Sequence, residues 1–381
     1  MAPKEDNCIL SVMMHLYHLY ILVVLVGRAY GVEDWTVEVE KCLKNVHYTP
    51  QLHFPLKNTR NNDLKSHVVQ LSKELRTFQT LERTKQQNFD DPTFGGPSLE
   101  EFWIQEFCCD KPLDAFGGYV PLFIQWVTTK MRGRHRELVR VLTTHLSKDI
   151  LYVTVSNHAF GIKDTGFPIE NYPNILVMSA GGNGHIPLPH LKRNIPYQGF
   201  DPALRFKYDM SFVGTPRPSG GRKKFLDSIQ SERKAVQGGE EVSLRITEKP
   251  FLESLTIYNN TLLNLCPRGV GRTSFRLYEV IHVGKLPVYM YSDIPWIPYE
   301  GTSADMREFD WVFQNDEAKK VVETARELKA KPAEVTRRLL VLQKLRQSHY
   351  TYEGVAHQIR MYLNGGEKTS DLRCHGLPKK G

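Results

Sequence analysis

After an uncharged run at residues 9–27 (ILSVMMHLYHLYILVVLVG), the apolar positions of this chain fall into two patterns. Short, continuous, β-branched runs alternate with stretches whose apolar residues recur every three or four positions. The first pattern suits strands buried on both faces; the second suits amphipathic helices. Residues 119–123 (YVPLF), 150–155 (ILYVTV) and 174–178 (NILVM) predict strands. Residues 67–81, with Val68, Leu71, Leu75 and Phe78 on one stripe, predict a helix, and residues 132–146 predict a basic one. Ser98-Leu99-Glu100-Glu101 is a capping box that opens another helix, because Ser98 and Glu101 can satisfy each other's end groups. Residues 42–55 read as a short strand-like stretch.

A Pro/Gly-rich passage at 181–202 reads as a crossover, and a second series begins beyond it. Strands are expected at 210–214, 262–266 and 286–291, and helices at 222–231 and 275–283. Two helices, 317–330 and 333–348, follow with Pro332 between them, since proline breaks a helix interior but fits a first turn. The alternation predicts an α/β protein. Its expected parts are a leading apolar segment (1–32), a first α/β half (33–205), a second half (206–330), and a closing helix with a basic tail (331–381).

Composition narrows the class. With 41% hydrophobic and 24% charged residues, the 381-residue chain is globular rather than disordered, collagenous or a disulfide scaffold. One long apolar run excludes a multi-span membrane protein. Nineteen uncharged residues are about the minimum for a spanning helix, so 9–27 reads as a signal anchor. Ala29-Tyr30-Gly31 also offers small residues for cleavage, which would release the rest into the secretory lumen. Net charge is +8, and the last 51 residues hold ten Lys/Arg against four Asp/Glu, a balance suited to an anionic partner. Beyond Cys8 there are five cysteines, Cys42, Cys108, Cys109, Cys266 and Cys374, which cannot all pair within one chain and match no zinc spacing. Asn259-Asn260-Thr261 is a glycosylation sequon.

The chemistry concentrates at residues 262–293, LLNLCPRGVGRTSFRLYEVIHVGKLPVYMYSD. A strand ends at Cys266. Residues 267–272 form a glycine loop with two arginines, Ser274 or Thr273 caps the next helix, and Gly284 stops it. Strand, glycine loop and helix N-terminus together make an anion site. Arg268, Arg272 and Arg276 add permanent charge, and planar guanidinium groups match phosphate oxygens. Glu279, one turn beyond Arg276, can accept from sugar hydroxyls or simply pair with that arginine. Gly269-x-Gly271-x-x-Ser274 followed by Asp293 also matches a dinucleotide fingerprint, with serine replacing the third glycine. No Gly-Lys-Ser/Thr occurs, which excludes a P-loop.

CPRGVGRTSFRLYEVIHVGKLPVYMYSDIPWIPYE is very similar to the signature of the exostosin family of glycosyltransferases. DAFGGYVPLF, ILYVTVSNHAFGI, GGNGHIPLPHL and YDMSFVGTPRPSGGRKKFLDSI resemble that family's other segments in order, so the likeness spans about residues 42–350. It implies two Rossmann-like domains facing a cleft (GT-B), inverting transfer from a nucleotide-sugar, a UDP-sugar by expectation, and a Golgi type II anchor. It carries donor-binding roles onto Arg272, Ser274, Arg276 and Glu279. Gly214 and Arg217 sit in the loop after the second half's first strand, which should face the same diphosphate; Arg217 could equally be solvated.

The expected acceptor is a polysaccharide or glycoprotein. A homo-oligomer, or a hetero-oligomer with another glycosyltransferase, is expected, and nucleic acid is not. His158 follows the strand at 150–155 and has a suitable pKa for a base, though it reads equally as a turn histidine. Asp164 and His185 are lesser candidates. No Asp-x-Asp occurs, so arginines and the helix dipole are expected to replace a metal, with no cofactor. Two alternatives stay open: a catalytically silent glycan-binding or partner subunit, and a Golgi sulfotransferase, whose anion loop would lie earlier in the fold.

Overall fold

The computed structural model describes residues 42, 62–79, 98–108, 113–191, 195, 197–199, 206–216, 220–234, 241–249 and 251–375. The apolar run at 9–27, Cys8, Cys109 and Arg217 lie outside them. So does most of 42–55, of which Cys42 alone is described and is helical rather than extended.

The first half runs α1 (Asn62–Leu75), α2 (Leu99–Phe107), β1 (Val120–Leu122), α3 (Trp126–Met131), α4 (His135–His145), β2 (Tyr152–Ser156), β3 (Ile175–Ser179) and β4 (Ile186–Pro187). Its four strands are parallel, in the order β1-β2-β3-β4. Every residue of β2 and β3 is buried, as continuous apolar runs require. The capping box forms: Ser98 Oγ accepts from Glu101 N at 3.3 Å, and Ser98 N donates to Glu101 Oε2 at 2.8 Å. The single basic helix expected at 132–146 is instead preceded by a break. Gly133, at φ 71°, separates α3 from α4, because a left-handed residue ends an α-helix. The passage at 181–202 contributes β4, so part of the expected crossover is sheet.

The second half runs β5 (Tyr208–Val213), α5 (Gly220–Glu232), β6 (Leu244–Thr247), α6 (Phe251–Asn259), β7 (Thr261–Pro267), α7 (Phe275–Val283), β8 (Pro287–Tyr291), β9 (Trp311–Gln314), α8 (Ala318–Lys329), α9 (Pro332–Leu345) and α10 (Tyr352–Gly365). The sheet order is β6-β5-β7-β8-β9, again all parallel. Each half is therefore a Rossmann-like α/β unit.

The region expected as a closing helix and tail does more than close the second half. From α9 the chain passes through a π turn (Arg346–Tyr350), and α10 crosses back onto the first half. Tyr352 lies 4.8 Å from Phe102 between ring centroids, and Arg360 pairs with Glu106. Gly117 is required there: a Cβ on it would overlap the carbonyl of Leu363. Cys374, beyond α10, is disulfide-bonded to Cys42, with Cα atoms 5.5 Å apart. Cys108 is also disulfide-bonded, and Cys266 is a buried free thiol.

One hydrophobic cluster is continuous between the halves, joining Met178 and Leu188 to Val280, Tyr289 and Ile359. Each fully buried large apolar side chain in it is worth about 1.5–3 kcal/mol. The carboxyl ends of the two sheets face one another across this core. Trp296 Nε1 donates to Ser179 O at 2.9 Å, and Thr273 Oγ1 to Ala180 O at 2.8 Å.

Candidate active site

The loop between β7 and α7 is organised by its own arginines. Arg268 Nη1 donates to Asp293 Oδ1 at 2.6 Å, and its Nε donates to Gly271 O at 2.9 Å. Arg272 Nε donates to Asp293 Oδ2 at 3.1 Å, and its Nη1 donates across the halves to Gly182 O at 2.8 Å. Partial burial would raise the Asp293 carboxyl, but the Ile294 N–H and these two guanidinium groups outweigh it and hold it below its ordinary value. Ser274 caps α7 from an extended conformation, its Oγ accepting from Arg276 N at 3.3 Å. The positive end of α7 therefore opens toward the loop.

Arg276 turns away from that cluster. Its Nε donates to Tyr258 Oη at 2.8 Å, its Nη2 lies 3.9 Å from Glu279 Oε2, and its guanidinium stands 5.5 Å from the Phe212 ring centroid. A second guanidinium shares that ring: Arg222, from the first turn of α5, stands 5.7 Å from it. Arg222 donates only to backbone carbonyls, those of Thr215 (3.0 Å), Pro267 (3.2 Å) and Arg268 (2.9 Å). Burial and the neighbouring charge of Arg276 push it down to about 10. Among the described residues no carboxylate contacts Arg222, while Glu279 serves Arg276. Among the described residues the two cations thus share one carboxylate.

Gly214, at the carboxyl end of β5, makes room for this arrangement. Its φ is 139°, and a Cβ there would stand 2.2 Å from Arg276 Nη1. The structure brings Gly214, Ser274, Arg276 and Glu279 together, and holds Arg272 on the side of the loop that straps the halves.

Arg222 was not legible as a site residue. Gly-Gly-Arg-Lys-Lys at the head of a helix reads as a solvated basic turn. The only signal is positional, since Arg222 follows β5 much as Arg276 follows β7.

His158 lies in the loop after β2. Its Nε2 is 3.3 Å from Asp164 Oδ2, and its Nδ1 accepts from Phe160 N at 3.3 Å. A proton on Nε2 satisfies both contacts. Burial lowers its pKa below 6.5, with Lys130 acting in the same direction and Asp164 opposing. Lys130 Nζ stands 3.8 Å from the same Asp164 oxygen.

A carboxyl that sequence reasoning missed positions this loop. Glu100 is buried and accepts from Asn157 N at 2.8 Å and Val127 N at 3.0 Å; burial pushes it up to about 8. His185 sits apart, in the bend just before β4 and against β3. Its Nδ1 accepts from Val177 N at 2.9 Å, and enclosure takes it down to about 4.

Glycines set the distance between the histidine and arginine loops. A Cβ on Gly181 would fall 2.1 Å from His158 O, and one on Gly271 would fall 2.3 Å from Gly181 O and 3.2 Å from Ala159 Cα. Backbone therefore packs on backbone from His158 through Gly181 to the arginine loop. Among the described residues no group of three or more His, Cys, Asp or Glu is placed to hold a metal ion. None of the described helices is long and apolar enough to cross a membrane.

No protein-family model and no curated protein matches the chain. Solved structures similar to it include an α-glucosyltransferase in complex with UDP and a 13-mer DNA, at 11% identity and a TM-score of 0.33, over 59% of this chain and 72% of that one. TarM is similar at 9% identity and a TM-score of 0.30, over 59% and 57%. Sucrose-phosphate synthase from Thermosynechococcus elongatus is similar at 10% identity and a TM-score of 0.33, over 60% of each chain. The chain spans less than two thirds of the latter two. Likenesses this distant carry nothing about what this chain binds.

Proposed function

We propose that the chain is an inverting, metal-independent glycosyltransferase of the exostosin type, moving a sugar from a UDP-sugar to a glycan or glycoprotein acceptor. One observation carries the reading. Arg222, buried, and Arg276, half-buried, face one phenylalanine ring at the carboxyl ends of β5 and β7, and among the described residues only one carboxylate, Glu279, pairs with either. A diphosphate supplies further negative charge, and the N-terminus of α7 adds N–H donors to it.

In the proposed reaction an acceptor hydroxyl attacks the anomeric carbon. The new C–O bond forms as the bond to the diphosphate breaks, and the leaving negative charge falls on Arg276 and the helix end. The hydroxyl proton passes to His158 Nδ1, displacing the long contact from Phe160 N, while Asp164 orients the ring through Nε2–H. Glu279 accepts from the ribose hydroxyls, and Arg272 and Ser274 hold the loop in shape around the donor. The four-part division of the chain, the signal anchor at 9–27 and a Golgi location belong to the same proposal. The Cys42–Cys374 disulfide supports an oxidising compartment.

The test is a thermal shift of the full chain with UDP, without added divalent metal and with a chelator present. At about 100 Kd the ligand should add about 2.7 kcal/mol of stability. No shift with UDP overturns the donor assignment, and a shift abolished by the chelator overturns metal independence.

A further inference from the structure

Among the described side chains Phe160 is the one phenylalanine that faces solvent, with 58% of its surface exposed. It is held there. Its N–H donates to His158 Nδ1 at 3.3 Å, Gly161 N donates to His158 O at 3.0 Å, and Asn183 Nδ2 donates to the preceding carbonyl, Ala159 O, at 2.8 Å. Gly161, at φ 75°, turns the chain back immediately after it. The Phe160 ring centroid is 6.4 Å from that of His158. Val270, 47% exposed, projects from the facing arginine loop, whose next residue, Gly271, abuts Ala159. Two of the exposed large apolar residues thus flank the contact between the histidine and arginine loops. A single exposed apolar side chain needs no explanation, but an aromatic on an anchored backbone turn, beside a histidine that contacts Asp164 at the meeting of two sheets, does.

We propose that Phe160 is the platform on which the acceptor's sugar ring stacks, C–H face down, with one hydroxyl directed at His158. This rests on the glycosyl-transfer reading above and names its acceptor class: a pyranoside with one face free of axial hydroxyls. The negative face of an aromatic ring attracts the polarised C–H bonds of such a face.

The experiment uses the full chain, with and without saturating UDP. Methyl β-D-glucopyranoside, methyl β-D-galactopyranoside and methyl β-D-xylopyranoside serve as probes in saturation-transfer NMR titrations. At least one should bind the parent through its ring C–H protons. Phe160→Ala should weaken that glycoside about tenfold, or about 1.4 kcal/mol. Phe160→Tyr should restore it, with melting temperature and UDP affinity unchanged in both variants. A Phe160→Ala protein that binds the glycoside like the parent overturns the platform, as does a parent that binds none of the three. A parent that binds no UDP overturns the donor reading instead, and the titrations without UDP still report on Phe160.

Discussion

Gly214→Ala tests the arginine site without touching a charged group. The new Cβ would stand 2.2 Å from Arg276 Nη1, where ordinary contact begins at 3.4 Å, so the guanidinium must retreat by about 1 Å. That retreat breaks its 2.8 Å bond to Tyr258 Oη and withdraws it from the proposed diphosphate. A charge-assisted hydrogen bond is worth about 1.5–3 kcal/mol, so UDP affinity should fall roughly 10- to 150-fold. A side chain at φ 139° adds backbone strain of order 1–3 kcal/mol, which should lower the melting temperature by several degrees. The Gly214 N–H is already committed to Thr247 O at 2.8 Å, so it is not a ligand donor whose loss could mimic the effect.

Isothermal titration of UDP into the parent, Gly214→Ala, Arg276→Ala and the double variant closes a cycle. Once Arg276 is gone the methyl has nothing to displace, so the double variant should bind UDP like Arg276→Ala alone. Additive losses, or a Gly214→Ala protein with parental affinity, would refute the reasoning.

Three further outcomes follow from the geometry. Glu279→Gln should weaken uridine and UDP alike, since it acts on ribose, whereas Arg276→Ala should weaken UDP and spare uridine; titration with both ligands separates them. His158→Ala should lower the transfer rate by ~10²–10⁴ with UDP affinity unchanged. Because a base works when neutral and burial depresses this histidine, the parental rate should hold to below pH 6.5 before falling, and Asp164→Asn, which deletes the influence that raises it, should move that limb further to acid. Replacing Cys42 and Cys374 by serine should cost about 2–5 kcal/mol, read as a loss of melting temperature under non-reducing conditions.

The strand, loop and helix at 261–283 were legible because every local signal agreed there. A buried leucine-rich strand, a glycine loop, a serine cap and a stop at Gly284 leave one reading, and α7 spans the expected 275–283. Other elements lacked that agreement. β6 and α6 lie in a stretch where Glu248 and Lys249 interrupt short apolar runs, and β9 is four residues with none fully buried. α10 was not expected at all: 331–381 read as one closing helix and a basic tail, although Tyr352, Val355, Ala356, Ile359 and Tyr362 form a buried stripe on it. The same holds for the site. Arg276 could be placed from its helix and loop, while Arg222 and Glu100 owe their surroundings to residues far away in sequence. Nothing local distinguishes a buried guanidinium on carbonyl oxygens, or a carboxyl on two backbone N–H groups, from ordinary solvated charges.

The bond between Cys42 and Cys374 joins positions 332 residues apart, which makes the folded body a covalent ring. A single proteolytic cut anywhere within it opens the ring but leaves one molecule, its two pieces still joined through the disulfide. The ring also redirects force. A pull between the segments that flank Cys42 and Cys374 enters at one cysteine and leaves at the other, so it loads the disulfide and passes around the sheets.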